Sequence, residues 1–301
     1  MKNIQVKISD SNIHMNNFLN PYITSQNGYI TSNIAMINPF TLWNKGYTGK
    51  DITIAIIDTG CCINHPDLKN NIIGSRNFTA ESTVEDGSGH GTHVAGIVAS
   101  NGHIKGIAPN SKLLILKVLE SNGNGNLENV VNAINYAIDQ KVNIINLSLG
   151  CKVDIPELYS AIKRAVNNNV MVCCAIGNEG DNGANTNEID YPAYYPEVIS
   201  VGAIDNSRLL ATFSNSNIFC DCVAPGVNVI STHLNNGYVG LDGTSMSTPH
   251  VVGAIALLME KFIKEWGRKP TYMEIYAELI KNTIDLGLDK RIQGNGMLFL
   301  R

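Results

Sequence analysis

No stretch of this sequence is apolar for long enough to span a bilayer, and charged residues make up only 16% of the chain. Low-complexity tracts and blocks of like charge are also missing, which argues against extensive disorder. The formal net charge is −4, so the basic face that nucleic-acid binding requires is not provided. Because 44% of the 301 residues are hydrophobic, we expect a folded protein with a substantial core and with neither a membrane nor a nucleic acid as partner.

The sequence also offers little support for secretion. Its first ten residues are too polar for the apolar stretch of a signal peptide. The seven cysteines are odd in number, and two pairs are adjacent, Cys61-Cys62 and Cys173-Cys174. Adjacent residues on a strand point to opposite faces, which disfavours a disulfide framework. We therefore expect reduced thiols, mostly as small core residues, in a cytoplasmic protein.

From about residue 51, short runs rich in Val and Ile alternate with segments of helical period. Runs of this kind are typical of strands buried on both faces of a parallel sheet. The predicted strands cover residues 51–58, 112–119, 142–149, 170–176 and 198–204. Helices are predicted over 126–140 and 154–168, with Asp154 capping the second and Pro156 in its first turn. The alternation predicts an α/β three-layer sandwich, with a mostly parallel central sheet and helices on both faces.

Three segments place a reactive side chain among small residues. Asp58 ends the first predicted strand, His90 begins a helix in Gly-His-Gly-Thr-His, and Ser245 precedes an apolar helix with Pro249 in its first turn. Each has a plainer interpretation when taken alone: many strands end in Asp, His90 and His93 have the spacing of metal ligands, and Ser245 could be an N-cap. The chain offers no companion motif for zinc, so we expect His93 to be structural.

Together the segments fit one mechanism. A hydroxyl such as that of Ser245 needs a base, which His90 supplies, and a carboxylate such as Asp58 holds the imidazole in the correct tautomer. Asn178 follows another apolar strand in Gly-Asn-Glu-Gly, where its amide would stabilise an oxyanion. A nucleotide-binding α/β protein is disfavoured because no glycine-rich phosphate loop is present. A catalytically silent binding module on the same fold stays as the alternative.

These segments resemble the subtilisin-like serine proteases, in the chain order Asp, His, Ser, from about Trp43 to the C-terminus. Within that family the sequence resembles the bacterial intracellular subtilisins, as in His65-Pro66-Asp67-Leu68. The resemblance implies a subtilisin-like sheet and a serine endopeptidase that cleaves intracellular proteins through an acyl-enzyme. It implies polypeptide substrates, a cytoplasmic location, no organic cofactor and, as in many relatives, a homodimer.

The resemblance also implies which residues bind substrate. They are Ser148, Leu149, Gly150, Ala175, Gly177, Glu179 and Asp190. The sequence departs from the family at Cys151, which replaces a glycine beside the pocket. Asp190 stands at the floor of the pocket for the P1 side chain (S1), and Glu179 stands at its rim. Two carboxylates would attract a basic P1 side chain, but both could equally be solvated surface acids.

The first 25 residues match a further feature of the intracellular relatives. On composition alone this stretch would be a surface arm. In that group, however, a short prosegment blocks the cleft through a Leu-x-Pro-Tyr motif, which Leu19, Pro21 and Tyr22 fit. A proline removes an N–H donor, which would let the segment bind without presenting a cleavable bond. We expect an inhibitory prosegment over residues 1–25 and a single catalytic domain over 26–301.

Calcium is the one cofactor that the resemblance raises. Asp67 matches a family ligand, but the loop at 100–105 is shorter than the calcium-binding loop of the family. Calcium takes about 6–8 oxygen ligands, which the shortened loop does not supply. A weaker structural site would use the backbone of Tyr195 and Val198 with the carboxylate of Asp221.

Overall fold

The fold is described from a computed structural model, in which residues 4–8, 13–14, 23–25 and 28–301 are placed, with the backbone alone at 13–14 and 23–25. The strands are β1 (Gln5–Lys7), β2 (Ile13–His14), β3 (Ile23–Ser25), β4 (Gly28–Ile30), β5 (Thr53–Asp58), β6 (Ile72–Asn77), β7 (Lys112–Lys117), β8 (Asn124–Asn126), β9 (Ile144–Leu147), β10 (Met171–Ala175), β11 (Ile199–Ile204), β12 (Cys220–Pro225), β13 (Val229–Thr232), β14 (Tyr238–Leu241), β15 (Thr283–Ile284) and β16 (Met297–Leu298). The helices are α1 (Ser32–Ile37), α2 (Phe40–Trp43), α3 (His90–Ala99), α4 (Leu127–Asp139), α5 (Pro156–Asn167), α6 (Thr244–Trp266), α7 (Tyr272–Lys281) and α8 (Lys290–Gln293), with a short 3₁₀ turn at Leu234–Asn236.

A nine-stranded sheet forms the centre of the described chain, in the order β15-β16-β12-β11-β10-β9-β5-β7-β6. Every neighbouring pair is parallel except β15 and β16, which are antiparallel. From β5 the chain runs to β6 and β7 on one side and returns to β9 on the other. The direction of winding therefore changes at β5. In parallel sheets of this kind, ligands bind beyond the carboxyl ends of the strands at such a switch point.

Apolar clusters cover both faces of the sheet. One includes Val94 of α3 and Val251 of α6, and the other includes Val130 of α4 and Leu158 of α5. The adjacent cysteines of β10 lie on opposite sides, since Cys173 belongs to the first cluster and Cys174 to the second. All seven cysteines are free thiols, and six of them are buried. The predicted three-layer α/β sandwich and the predicted reduced, mostly buried cysteines are confirmed.

The five predicted strands are all present, each within two residues of the predicted ends. Two local predictions were wrong. Helix α5 does begin at Pro156, but its N-cap is Ile155, and the carboxylate of Asp154 instead accepts a hydrogen bond of 2.7 Å from the Tyr195 hydroxyl. Pro249 lies inside α6 rather than in its first turn. Within the described residues, no helix combines the length and the hydropathy needed to cross a membrane.

Candidate active site

Strand β5 delivers Asp58 to the carboxyl edge of the sheet. Asp58 is its last residue, and its side chain is fully buried. The Thr59 amide donates a hydrogen bond of 2.7 Å to Asp58 Oδ1. The same oxygen lies 2.7 Å from Nδ1 of His90. A carboxylate held in this way accepts the Nδ1–H and leaves Nε2 as the proton-accepting nitrogen of the neutral ring.

Helix α3 begins at His90, and its first turn packs closely against the end of β5. A Cβ on Gly91 would lie 2.2 Å from the carbonyl oxygen of Gly60 and 3.2 Å from the Cβ of Asp58, so only glycine fits there. The Gly91 amide donates to Thr59 Oγ1 at 2.9 Å, which ties the helix start to the strand end. The small residues beside His90 therefore serve the close packing that their pattern predicts.

Asp86 organises the turn that leads into α3, and the sequence pattern did not reveal it. Its carboxylate is buried and accepts hydrogen bonds from the Thr59 hydroxyl and from the amides of Ser88, Gly89 and Thr92, as well as from the Thr92 hydroxyl, at 2.7–3.0 Å. The Asp86 carboxylate thereby gives a hydrogen-bond acceptor to amides at the start of the helix, which have no acceptor within the helix. Asp86 thus fixes the position from which His90 projects.

The electrostatic surroundings of His90 favour its charged form. Burial acts against an imidazolium, but the carboxylates of Asp58 and Asp86 outweigh it and raise the pKa of His90 above its ordinary value of 6.5. Its Nε2 is buried and has no hydrogen-bond partner among the described residues. An unpaired ring nitrogen of this kind is available to take a proton from a hydroxyl that comes within hydrogen-bond reach.

Helix α6 carries Ser245 as its second residue, after the N-cap Gly243. Ser245 is therefore not the N-cap that its position suggested. Its hydroxyl donates to the carbonyl oxygen of Ser148 at 3.2 Å, and the Ser148 hydroxyl donates to the carbonyl oxygen of Ser245 at 2.9 Å. The second bond is possible because Pro249, four residues on, has no N–H to donate to that carbonyl. The proline inside the helix thus leaves room for a cross-link between α6 and the end of β9.

Asn178 lies beside the start of α6. Its side-chain oxygen accepts two hydrogen bonds from Thr244, from the amide at 2.9 Å and from the hydroxyl at 2.8 Å. These bonds fix the plane of the amide group and direct its NH₂ away from Thr244. Pre-oriented donors of this kind stabilise developing negative charge without having to reorganise.

His93 has a structural environment, as expected. Its Nε2 lies 2.9 Å from the carbonyl oxygen of Val229 and 3.2 Å from that of Val239, so it is the protonated nitrogen. Burial lowers the pKa of His93 to about 3. Within the described part of the chain, no three His, Cys, Asp or Glu side chains are grouped closely enough to hold a metal ion.

A cavity of about 380 Å³ lies next to Ser245. It brings together six of the seven predicted substrate-binding residues: Leu149, Gly150, Ala175, Gly177, Glu179 and Asp190. The seventh, Ser148, contacts Ser245 directly. Cys151 also borders the cavity and is held in place by backbone hydrogen bonds of 2.9 and 2.8 Å with Tyr191.

The two carboxylates predicted for the S1 pocket are paired with a cation of the chain itself. Nζ of Lys152 lies 2.9 Å from Glu179 Oε2 and 2.9 Å from Asp190 Oδ2. Asp190 is only 6% exposed, and burial raises its pKa to about 7, with a contribution from its hydrogen bond to Glu179. Asp190 is therefore not a solvated surface acid, whereas the Glu179 side chain is 39% exposed.

A short N-terminal strand borders this cavity. Strand β1 pairs antiparallel with β8, with Val6 opposite Gly125. On its other side Lys7 exchanges both backbone hydrogen bonds with Gly150, each at 3.3 Å. Residues 4, 5 and 7 border the same cavity as Ser245. Strand β1 is thus the middle strand between two edges of the cleft, the arrangement that an extended peptide adopts in β-augmentation.

The prosegment motif named from the sequence falls elsewhere. Leu19, Pro21 and Tyr22 lie outside the described residues. The segment in the cleft, residues 4–8, belongs to the same predicted prosegment but contains no proline. Its alternation, with Val6 buried and Gln5 and Lys7 exposed, is the signal by which it could have been found.

The contacts of Asp67 do not fit a calcium ligand. Its carboxylate accepts hydrogen bonds from the amides of His103 and Ile104 at 2.8 and 2.9 Å and from the Tyr238 hydroxyl at 3.0 Å. These donors direct their hydrogens at the oxygens that a cation would need. The shortened loop therefore turns back onto Asp67 and contacts it directly.

The surroundings of Asp221 fit a cation better. A cavity of about 310 Å³ is bordered by Val198, Asp221 and Tyr276. The Asp221 carboxylate accepts hydrogen bonds from the Ser200 amide at 2.8 Å and from the Tyr276 hydroxyl at 2.6 Å, but unlike that of Asp67 it borders this cavity. Burial raises the pKa of Asp221 to about 6. The carbonyl oxygen of Tyr195 accepts a hydrogen bond of 3.3 Å from the Val198 amide, so it is partly engaged already.

Comparisons with known proteins agree with this architecture. Residues 49–296 match the model of the subtilase family. The chain is 48% identical over 293 residues to the major intracellular serine protease of Bacillus subtilis (strain 168), covering 93% of this chain and 92% of that protein. It is 46% identical over 280 residues to an intracellular serine protease of Paenibacillus polymyxa, covering 90% of this chain and 85% of that protein. With subtilisin E of Bacillus subtilis (strain 168) it shares 40% identity over 233 residues, which is 76% of this chain and 60% of that protein.

These similarities confirm the resemblance predicted from the sequence motifs. They extend well beyond the motifs themselves and include the region between them, which builds the sheet and its helices. The chain belongs to the subtilase family and is a subtilisin-like serine endopeptidase.

Proposed function

We propose that Asp58, His90 and Ser245 form the catalytic triad of this endopeptidase and that it acts on intracellular proteins. The observation that carries the proposal is the buried contact of 2.7 Å between His90 Nδ1 and Asp58 Oδ1, at the start of α3, which packs in the same apolar cluster as the helix that carries Ser245. The names of two relatives, both intracellular serine proteases, support the location and the substrate class.

In the acylation step, His90 Nε2 takes the proton of the Ser245 hydroxyl while Oγ attacks the carbonyl carbon of the peptide bond. Asp58 stabilises the imidazolium that forms. The negative charge moves to the carbonyl oxygen, where the Asn178 amide donates a hydrogen bond. His90 then gives its proton to the leaving amine, the C–N bond breaks, and the acyl group stays on Ser245.

In the deacylation step, water replaces the amine. His90 takes a proton from the water as its oxygen attacks the ester, and the same oxyanion donors act again. When the intermediate collapses, the C–O bond to Ser245 breaks and the proton returns to Oγ. The products are a free carboxylic acid and the original hydroxyl.

The N-terminal strand is proposed to keep the protease latent until it leaves the cleft. The support is positional: Lys7 of β1 takes the backbone hydrogen bonds of Gly150, and the next residue, Ile8, donates its amide to the carbonyl oxygen of Gly123, as an extended substrate would. The proposal includes the division predicted from the sequence, with a prosegment over residues 1–25 and a catalytic domain over 26–301. Calcium, if it binds, is proposed to bind weakly at Asp221 rather than at Asp67.

The triad is tested with a fluorophosphonate probe, which reacts covalently with an activated serine. The full chain and its Val6→Asp variant, in which β1 is expelled from the cleft, are labelled and analysed by intact mass. We expect labelling in the Val6→Asp chain and complete loss of it on adding Ser245→Ala.

Ser247→Ala is the matched control, because Ser247 is buried in the same helix and its hydroxyl donates to Ala224. The Val6→Asp chain that also carries Ser247→Ala should still be labelled by the probe. A Val6→Asp chain that folds but takes no label would contradict the proposal and favour a catalytically silent binding module. Labelling that survives Ser245→Ala would place the nucleophile elsewhere.

A further inference from the structure

The S1 pocket contains an ion cluster whose cation comes from the protein. Lys152 Nζ lies 2.9 Å from both Glu179 Oε2 and Asp190 Oδ2. The Lys152 side chain is 52% exposed, whereas Asp190 is buried. The lysine therefore reaches from the solvent-exposed rim to the carboxylate at the floor.

The two carboxylates are held much more firmly than the lysine. The Asn215 side-chain amide donates to Asp190 Oδ2 at 3.2 Å and to Glu179 Oε2 at 3.3 Å. A Cβ on Gly177 would lie 2.2 Å from Asp190 Oδ2, so the pocket wall touches that oxygen. Lys152 has a long, flexible stem, so it is the member of the cluster that can move.

This cluster occupies the place that a basic substrate side chain would need. The cavity that contains Lys152, Glu179 and Asp190 also borders Ser245, so it receives the side chain next to the carbonyl that is attacked. An incoming Lys or Arg would seek the same two oxygens that already bind Lys152. The bound lysine is part of the chain, so it competes without the entropy cost of association.

We propose that Lys152 is a specificity-determining residue, which acts as an internal counter-ion and prevents Glu179 and Asp190 from selecting a basic P1 side chain. The inference rests on the proposed role of Ser245, which defines the cavity as the S1 pocket. Removing the lysine leaves Glu179 and Asp190 without a cation, and an incoming Lys or Arg would supply the positive charge that favours the ionised form of Asp190.

The test compares peptide p-nitroanilides that differ only at P1, with Lys, Arg, Leu or Phe. All chains carry Val6→Asp to open the cleft, and the one with no other change serves as the unmodified chain. Lys152→Met keeps most of the side-chain volume and removes the charge. We expect the ratio of kcat/KM for P1 Lys to that for P1 Leu to rise at least ~10-fold, equivalent to ~1.4 kcal/mol. Adding Asp190→Asn to Lys152→Met should reverse most of this gain.

Two controls accompany the panel. Lys152→Arg keeps a cation between the carboxylates and should retain the ratio of the unmodified chain. Lys269→Met removes an exposed charge beyond the far end of α6 and should also leave the ratio unchanged. A ratio in Lys152→Met that stays within about twofold of the unmodified chain, or that falls, overturns the proposal.

A binding measurement separates this inference from the proposed catalytic function. The chain with Val6→Asp and Ser245→Ala, with and without Lys152→Met, is titrated with p-aminobenzamidine, whose fluorescence reports binding of its amidinium. We expect Kd to fall at least ~10-fold in the Lys152→Met chain. If binding tightens but no peptide is cleaved, the proposed function fails, while the role of Lys152 as the internal counter-ion of Glu179 and Asp190 stands. If peptides are cleaved but neither Kd nor the P1 ratio changes, the inference alone fails.

Discussion

Ser148 and Ser245 show how single residues connect the substrate edge to the nucleophile. Each hydroxyl donates to the backbone carbonyl of the other residue, at 2.9 and 3.2 Å. The Asn146 side-chain amide donates to the Ser148 hydroxyl at 3.0 Å, which adds a third partner from β9. The cross-link depends on Pro249, which leaves the Ser245 carbonyl free of its helical partner. Shifting the end of β9 would therefore also shift the start of α6.

The raised pKa of His90 predicts the acid limb of the activity profile. His90 acts as a base only when its ring is neutral, so activity should fall as pH decreases through its pKa. Because that pKa is raised above 6.5, we expect half-maximal kcat/KM above pH 6.5 on the acid side. The measurement is kcat/KM for a neutral peptide p-nitroanilide between about pH 5 and pH 9. The pH dependence of kcat/KM reports the pKa values of the free enzyme, and therefore that of His90.

Four other histidines do not account for such a limb. Burial lowers the pKa values of His65, His93, His233 and His250 below 6.5. The charged groups that face His90 are Asp58, Asp86 and, when protonated, His93 and His233. An acid limb centred well below pH 6.5 would contradict the conclusion that Asp58 and Asp86 raise the pKa of His90 by more than burial lowers it.

The sequence alone predicted the residues that line the site better than the contacts they make. Asp58, His90 and Ser245 lie in short motifs of small residues, which can be recognised without knowing what contacts them in the folded chain. By contrast, Asp154 has the position of a helix cap, yet its carboxylate contacts Tyr195, which is 41 residues away. Lys152 is similar, because its direction is set by Glu179 and Asp190 from other segments. The contacts of such side chains depend on residues that are distant in sequence and become neighbours only in the folded chain.

Among the secondary-structure elements, β1 is the one whose role was least visible in the sequence. It is three residues long and draws its stability from its neighbours, β8 on one side and Gly150 on the other. Val6 is 1% exposed and belongs to the apolar cluster that includes Leu149. The strands of the large sheet, by contrast, have continuous apolar runs of their own, so their positions could be predicted closely.

The latency proposal predicts that a single charge at Val6 will activate the full chain. Val6→Asp would bury a carboxylate in an apolar cluster, which costs several kcal/mol, so β1 should leave the cleft. We expect the initial rate of peptide hydrolysis, measured immediately after purification, to rise at least ~10-fold over the unmodified chain.

Gln5→Asp is the matched control, because it adds the same charge on the exposed face of the same strand. It should leave the initial rate close to that of the unmodified chain. Equal initial rates for all three chains would contradict latency, and equal activation by both variants would show that charge rather than burial controls the segment. Deleting residues 1–22 should activate the protein at least as much as Val6→Asp does.

At the scale of the whole molecule, stability should depend on calcium through Asp221 and not through Asp67. Asp67→Asn removes charge-assisted hydrogen bonds from the His103 and Ile104 amides, so we expect it to lower the free energy of unfolding by about 1–3 kcal/mol. The loss should be the same in EDTA and in excess calcium, as measured by denaturant unfolding of chains that also carry Ser245→Ala to prevent self-cleavage.

Asp221→Asn serves as the contrasting variant. Any stabilisation that calcium gives the Ser245→Ala chain should persist in Asp67→Asn and disappear in Asp221→Asn, since binding to the folded state alone stabilises by mass action. Asp181→Asn, an exposed acid, is the surface control. If calcium no longer stabilises the Asp67→Asn chain, the ion binds at Asp67 and displaces the hydrogen bonds from the His103 and Ile104 amides.

The placement of residues 4–8 has a consequence for how activity would begin in a population of molecules. The segment and the cleft belong to one chain, so dilution does not separate them. A tethered ligand acts at an effective concentration on the order of millimolar, which most protein substrates do not reach. Occupancy of the cleft is therefore independent of protein concentration, whereas removal of the segment by a neighbouring molecule is a second-order event. Activation would accordingly start slowly, accelerate as each opened molecule opens others, and set in sooner in a concentrated solution.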